Sequence, residues 1–427
     1  MKLQAPKGTR DFYPDDMAWR NWITDAWRRV AIRNGFEQVD GPIFESLDLY
    51  KVKSGEGIVS ELFHFTDRGE RDLAIRPEFT PTLARMVAER ANGLPKPIKW
   101  FCTPNLCRAE RPQRGRLREF WQWNVDILGH DPAHTPLADA ECIFTAIDFL
   151  ADVGLTPQLV RVKISHRQTV RHILAKLGVG DDKMLDAFDL LDRRAKISPE
   201  QFLADAGQLG LDGDRLTRFD EVCRRKYAVG DLSHLARSIG LEQAIGELEA
   251  LDDQLRAFGI ADWCEYDLGI VRGLAYYTGT VFEVHERSGA ERAMAGGGRY
   301  DQLIELFGGP PTPAVGFGMG DVVLTNVLID KKLVPAEFAP RPQVFVIAAS
   351  DAAALQLPAV VAELRRAGLH ARFSYKSTRN VGKLLKDAGA AKAAYALILG
   401  DDLQLKNLAT GAQAPVTPDG LIAALTA

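Results

Sequence analysis

The segment from Ile270 to Glu283 restricts the possible folds more than any other stretch of the chain. Arg272 stands among apolar residues, Gly273 and the pair Tyr276 and Tyr277 follow, and an alternating run to Glu283 reads as a strand. A guanidinium beside a sheet is costly to bury unless a carboxylate or a bound anion answers it. Taken alone, the segment is most plainly a structural arginine paired to a core carboxylate. Its neighbours in the sequence decide whether a pocket is the better reading.

Those neighbours have hairpin grammar. Residues Glu61–Thr66 and Leu73–Ile75 flank a turn at 67–70, and strands are expected over Pro97–Cys102 and Glu119–Leu128. Helices are expected before and between them. Pro14, Asp15 and Asp16 suit a helix start, and Asn34 with Gly35 suits its end. Trp19, Trp22, Ile23, Ala26, Trp27 and Val30 give that helix one apolar face, suited to the core or to a subunit contact. A second helix is expected from Thr80 to Ala91. Antiparallel pairing with interleaved helices predicts an α+β fold rather than a doubly wound one.

The texture then changes. Residues 165–260 read as a mostly helical insertion carrying Leu185, Leu190, Leu191, Leu203, Leu209, Leu235, Leu241 and Leu248. Strand character returns at Trp263–Glu265 and runs through a hairpin after Tyr277. The stretch 331–342, with three prolines, reads as a linker. Beyond it lie strands at Val344–Ile347, His370–Phe373 and Tyr395–Leu399, with helices at Ala352–Ala367 and Val381–Ala388. The expected division is a core in two parts (1–164 and 261–330), the insertion (165–260), the linker (331–342) and a C-terminal α/β domain (343–427).

A chain of 427 residues has room for two or three such domains. Its 53 basic and 57 acidic side chains give a net charge of -4, which argues against a wholesale polyanion binder while allowing a local basic surface. Five scattered cysteines read as reduced thiols. Neither Cys102 with Cys107 nor His130 with His134 has metal-site spacing, so no metal held by side chains is expected. No apolar run approaches the ~20 residues that cross a bilayer, and no leader is expected at the N-terminus. A cytoplasmic protein with no membrane partner is the expectation.

The second informative segment runs from Cys107 to Asp126. Its loop carries five arginines in eleven positions, Arg108, Arg111, Arg114, Arg116 and Arg118, and is broken by Pro112 and Gly115. An exposed charged hairpin is the bland explanation. Phosphate recognition is the sharper one, because a planar guanidinium makes paired, charge-assisted hydrogen bonds.

Five segments together resemble the histidyl-tRNA synthetases, of the class II aminoacyl-tRNA synthetase family: Cys107–Asp126 (motif 2), Ile270–Glu283 and Ala295–Asp301 (the two histidine signatures), Arg76–Pro81, and Lys7–Asp11. Phe36–Pro42 stands where motif 1 places a dimer strand. The resemblance implies a class II antiparallel sheet flanked by helices, an anticodon-binding C-terminal domain, and a homodimer. It implies that L-histidine, ATP with Mg²⁺, and tRNA(His) are the substrates, joined through a histidyl-adenylate. Arg272 and Arg108 would be catalytic. Glu78, Phe79, Thr80, Arg108, Gln122, Asp126, Arg272, Tyr276 and Tyr277 would hold histidine. Arg108, Arg116 and Arg118 would hold ATP, and Arg111, Gln113 and Arg114 would touch the tRNA acceptor end. Gly296, Gly297 and Gly298 would pack closely on the bound amino acid. Lys376, Arg379, Lys383 and Lys386 would face RNA, or form a solvated helix face.

Two positions depart from the family pattern. Ala275 replaces the usual aspartate before the paired tyrosines. Gly316–Gly320 matches the start of motif 3, but Asp321, Val322 and Val323 replace the following Leu-Glu-Arg. Val323 can neither stack on adenine nor contact a terminal phosphate as that arginine does. The departures leave a second reading, a histidyl synthetase-like regulatory subunit of ATP phosphoribosyltransferase that is not itself a ligase.

Overall fold

The computed structural model describes residues 3–54, 56–194, 197–232, 234, 245–271 and 276–426. The chain divides into two compact units, Met1–Ala336 and Glu337–Ala427. The division falls inside the proline-containing stretch 331–342.

The first helix spans Pro14–Arg33, with proline in its first turn and Asp16 accepting a hydrogen bond from the Tyr13 backbone at 3.2 Å. Its tryptophan stripe divides by depth. Trp27 is fully buried and stacks near Trp123, ring centroids 6.3 Å apart. Trp19 and Trp22 stack on each other at the core margin, and Trp19 donates to Thr325 Oγ1 at 3.1 Å.

Strands of the first unit are β1 (Glu37–Gln38), β2 (Phe44–Ser46), β3 (His64–Thr66), β4 (Asp72–Ile75), β5 (Ile98–Cys102), β6 (Asn105–Cys107), β7 (Glu119–Leu128), β8 (Val160–His166), β9 (Tyr227–Ala228), β10 (Cys264–Tyr266), β11 (Thr280–Glu286), β12 (Ala295–Arg299) and β13 (Ala314–Gly320). Among the described residues ten of them form one sheet, ordered β1-β5-β7-β13-β12-β11-β8-β10-β9 with β6 paired to β7. Pairing is antiparallel except at β1/β5 and β8/β10. A small sheet, β2-β4-β3, stands apart from it. The expected α+β architecture, a large antiparallel sheet flanked by helices, is the observed one.

The stretch 165–260, expected as a helical insertion, contains helices Arg167–Lys176, Met184–Arg193, Pro199–Gln208, Gly213–Arg224 and Gly246–Ala257, and also β9, which extends the large sheet through β10. That strand has only two residues, too few for a period-2 pattern to show. Leu190, Leu191, Leu209 and Leu248 are buried, but Leu185 and Leu203 face solvent. Leu235 and Leu241 lie outside the described residues.

In the second unit β14 (Val344–Ala348) alternates, sending Val344, Val346 and Ala348 to one core layer and Phe345 and Ile347 to the other. It is flanked in parallel by β15 (Ala371–Phe373) and β16 (Tyr395–Leu399), and β17 (Gln404–Asn407) and β18 (Gln413–Pro415) continue the sheet antiparallel. The last two strands were not anticipated, since the residues of β17 are half-exposed, those of β18 are exposed, and both lack apolar alternation. No helix among the described residues is long and apolar enough to cross a membrane.

Candidate active site

The central strand β7 sorts its side chains by parity. Trp123, Val125 and Ile127 enter the core beneath the sheet, while Phe120, Gln122, Asn124 and Asp126 line a cavity of about 1000 Å³ above it. The adjacent β13 makes room for them. Gly316 is paired with Asp126, Gly318 with Asn124 and Gly320 with Gln122. A Cβ at Gly316 would lie 2.0 Å from Asp126 Oδ1, and one at Gly318 would lie 2.7 Å from the Gln122 carboxamide carbon. The alternate glycines of Gly316–Gly320 therefore clear the cavity floor.

Asp126 is buried and accepts a hydrogen bond from the Tyr300 hydroxyl. Burial pushes its carboxyl up to about 7, against the lowering effect of that bond. Tyr276 and Tyr277 complete this corner, with rings 4.7 Å apart and Tyr276 6.0 Å from Tyr300. Glu78 and Thr80 line the cavity at the start of the Thr80–Arg90 helix. Their approach is fixed by Arg76, which donates to Asp40 Oδ1 at 2.8 Å and to the Asn105 carbonyl at 3.0 Å. Arg108 Nε donates to the Pro77 carbonyl at 3.0 Å, and its guanidinium carbon lies 5.1 Å from the Phe120 ring centroid.

Some expected residues are placed elsewhere. Phe79 is 1% exposed and belongs to the core with Leu83, Val281 and Tyr277, because the turn that aims Glu78 and Thr80 outward aims it inward. Arg118 does not line the cavity; its Nε donates to the Glu110 carbonyl at 3.1 Å. Gly297 and Gly298 serve strand packing rather than a ligand: added Cβ atoms would meet the Gly316 carbonyl at 2.3 Å and the Thr280 carbonyl at 2.7 Å. Gly296 lines the cavity. Arg272 and Ala275 lie outside the described residues.

The arginine loop is partly neutralised from within. Arg116 lines the cavity and pairs with Glu110. Arg114 reaches Glu291 at 2.5 Å and Asp330 at 3.3 Å. Arg111 and Gln113 are exposed. Parity along β7 could have added Asn124 to the sequence reading, whereas Tyr300, although inside the second signature, could not be linked by sequence to its partner Asp126, 174 residues away.

The family profile described as histidyl-tRNA synthetase matches residues 8–321, and one described as an anticodon binding domain matches 343–427. The chain belongs to the histidyl-tRNA synthetase family. It is 40% identical over 410 residues to the histidine–tRNA ligase of Opitutus terrae, covering 95% of this chain and 92% of that one. Its fold matches a histidyl-tRNA synthetase from Nostoc sp. PCC 7120 with a TM-score of 0.84 at 23% identity, over 100% and 99% of the two chains. A Bacillus halodurans structure described as an ATP phosphoribosyltransferase regulatory subunit/histidyl-tRNA synthetase gives 0.76 at 21% identity, over 93% and 98%. Identities this low carry the fold alone.

Within this synthetase the departures at motif 3 have structural explanations. Asp321, 4% exposed, accepts from the Trp121 backbone at 3.0 Å and pairs with Arg10 at 2.7 Å, joining the N-terminal segment to the Asp321–Asp330 helix. Val323, 7% exposed, packs in the core at the cavity wall. Arg299 of the second signature is buried on Asp139, on Asp301 at 2.9 Å and against His130 Nε2 at 3.1 Å, and so braces the sheet from behind. His130 is thereby a core histidine. Among the described residues no group of three or more His, Cys, Asp or Glu could hold a metal ion.

Proposed function

We propose that this synthetase is a histidine–tRNA ligase that activates L-histidine with ATP and passes it to tRNA(His). The reading is carried by one observation: Gln122 and the buried Asp126 share a cavity with Glu78, Thr80, Arg108 and the tyrosine pair. Glu78 and Thr80 hold the α-ammonium group, a carboxylate being the natural partner of a cation. Asp126 accepts a hydrogen bond from the imidazole, oriented by Tyr300, with Tyr277 across the ring. Such a pocket rejects analogues lacking the imidazole N–H, since a buried acceptor would be left unpaired.

The histidine carboxylate attacks the α-phosphorus of ATP in line, forming the adenylate and releasing pyrophosphate; the tRNA end then displaces AMP. Charge builds on the phosphoryl oxygens in the first step. Arg108 and, as the family resemblance implies, Arg272 supply the cations that stabilise it, and Arg116 joins them on the nucleotide side. Mg²⁺ arrives on the triphosphate as part of the substrate.

Arg111 and Gln113 at the loop tip meet the acceptor strand. Residues 343–427 bind the anticodon arm, where Tyr375, 93% exposed and 4.7 Å from the Phe373 ring, offers a face for a base. Of the four cations expected there, Lys376 pairs with Asp387 at 2.7 Å and Arg379 with Asp351 at 3.0 Å, leaving Lys383 and Lys386 for RNA phosphates. The enzyme is a cytoplasmic homodimer. Its contact face is the small sheet with the residue that leads into it: Ile43 is 50% exposed, and Phe44 and Phe65 in the sheet are 49% and 44% exposed. The alternative regulatory role, which rests on the departures at Ala275 and Val323 and on the shared fold, is not better supported. Histidine-dependent exchange of pyrophosphate into ATP tests the proposal, and its absence from the purified chain refutes it.

A further inference from the structure

The synthetase lacks the arginine of motif 3, and the structure points to a side chain beside the vacated position. The Cβ position of Gly115 lies 3.2 Å from Val323 Cγ2 and 3.9 Å from Arg292 Cδ. Arg292 and Val323 thus flank the same bare point of backbone, where Gly115 adopts a left-handed φ of +73° that favours glycine. Arg292 lies on the connection between β11 and β12, far from motif 3 in sequence. It lines the same cavity as Arg108 and Arg116.

The neighbouring charges are already engaged. Glu110 pairs with Arg116, Glu291 with Arg114, and Glu283 with His285 at 2.8 Å. Arg292 has no hydrogen-bonded or ion-paired partner among the described residues. Partial burial, with Arg116 and Arg108 close by, lowers its pKa, so a cation is held where its surroundings disfavour one. An anion of several charges relieves that repulsion for all three guanidiniums together, whereas an amino-acid carboxylate would serve one of them. Arg292 is also exposed, while Asp126 lies at the buried end of the cavity. The histidine end is therefore deep and the Arg292 end shallow.

We propose that Arg292 binds the polyphosphate end of ATP, supplying beside Val323 the guanidinium that motif 3 no longer carries. The proposal rests on the ligase reading above. The test compares wild type, Arg292→Ala and Arg292→Lys in pyrophosphate exchange, varying ATP and histidine separately, and titrates ATP and AMP calorimetrically. Arg292→Ala is expected to raise both the KM and the Kd for ATP by roughly ten- to a hundred-fold, the range of one charged hydrogen-bonded contact. The KM for histidine and the affinity for AMP stay unchanged, and Arg292→Lys recovers part of the loss. Unchanged ATP constants overturn the proposal, as do equal losses for ATP, AMP and histidine with a lowered melting temperature, which mark a structural role. If wild type catalyses no exchange, the ligase reading falls. The ATP titration then still decides Arg292, and equal wild-type and Arg292→Ala Kd values overturn its role.

Discussion

At the scale of single residues, Asp126 and Gly316 depend on each other. A methyl group at 316 would overlap the carboxylate oxygen, 2.0 Å away, so Gly316→Ala must displace Asp126. A misplacement of that size costs about 10²-fold in kcat/KM for histidine, with the circular dichroism spectrum unchanged; an unaltered kcat/KM would show that Asp126 does not meet the substrate. Asp126 also sets a pH dependence. Its carboxyl titrates near 7 when folded, above the usual aspartate range. Between those values the folded state holds the proton that the unfolded state has lost. Stability from this group is complete at acid pH and falls as pH rises through about 7. Histidine binding runs the opposite way, because the charged carboxylate accepts the imidazole N–H more strongly than the protonated acid does. Affinity should therefore decline below pH 7 more steeply than the substrate's own titration requires. Asp126→Asn should remove both effects, and a variant with the wild-type pH profiles would contradict the assignment. The sequence pointed to Asp126 by resemblance to motif 2. It could not show Tyr300 donating to it, because that contact closes across the sheet from a distant strand.

At the scale of elements, the arginine loop between β6 and β7 changes meaning once its partners are seen. The sequence suggested that Arg114 faces tRNA. Its links to Glu291 and Asp330 make it a tether between the loop, the β11–β12 connection and the Asp321–Asp330 helix. Arg111, at the exposed tip, is the better candidate for RNA. Arg111→Ala is expected to raise the KM for tRNA several-fold, with a shallower salt dependence and unchanged pyrophosphate exchange. Arg114→Ala should lower exchange and charging together, because it leaves the buried Glu291 carboxylate short of a cation. The reverse pattern would restore the first reading. Elements with a clear period were legible: Glu119–Leu128 was bounded as it is observed, and the first helix closed at Asn34. The two-residue β9 and the β17–β18 hairpin were not, since neither shows the alternation by which a strand declares itself.

At the scale of the molecule, two compact units and an exposed apolar face invite separate tests. Residues 1–336 alone should retain histidine-dependent exchange and lose most tRNA charging; loss of exchange would show that the second unit is needed for the chemistry. Phe44→Asp with Phe65→Asp should convert a dimer into monomers by sedimentation, since charges on two half-exposed rings oppose burial of that face. A wild type already monomeric would dismiss the interface. The antiparallel core and the α/β C-terminal unit were legible from hairpin spacing and the change of texture near 331–342. The consequence of losing the motif 3 arginine was not, because Arg292 approaches Val323 only in three dimensions. The central claim is that this cavity joins histidine to ATP. It is tested most directly by pyrophosphate exchange with the purified chain and each of the common amino acids in turn. Exchange with histidine alone is the predicted result, and exchange with none of them, or with another in its place, would contradict it.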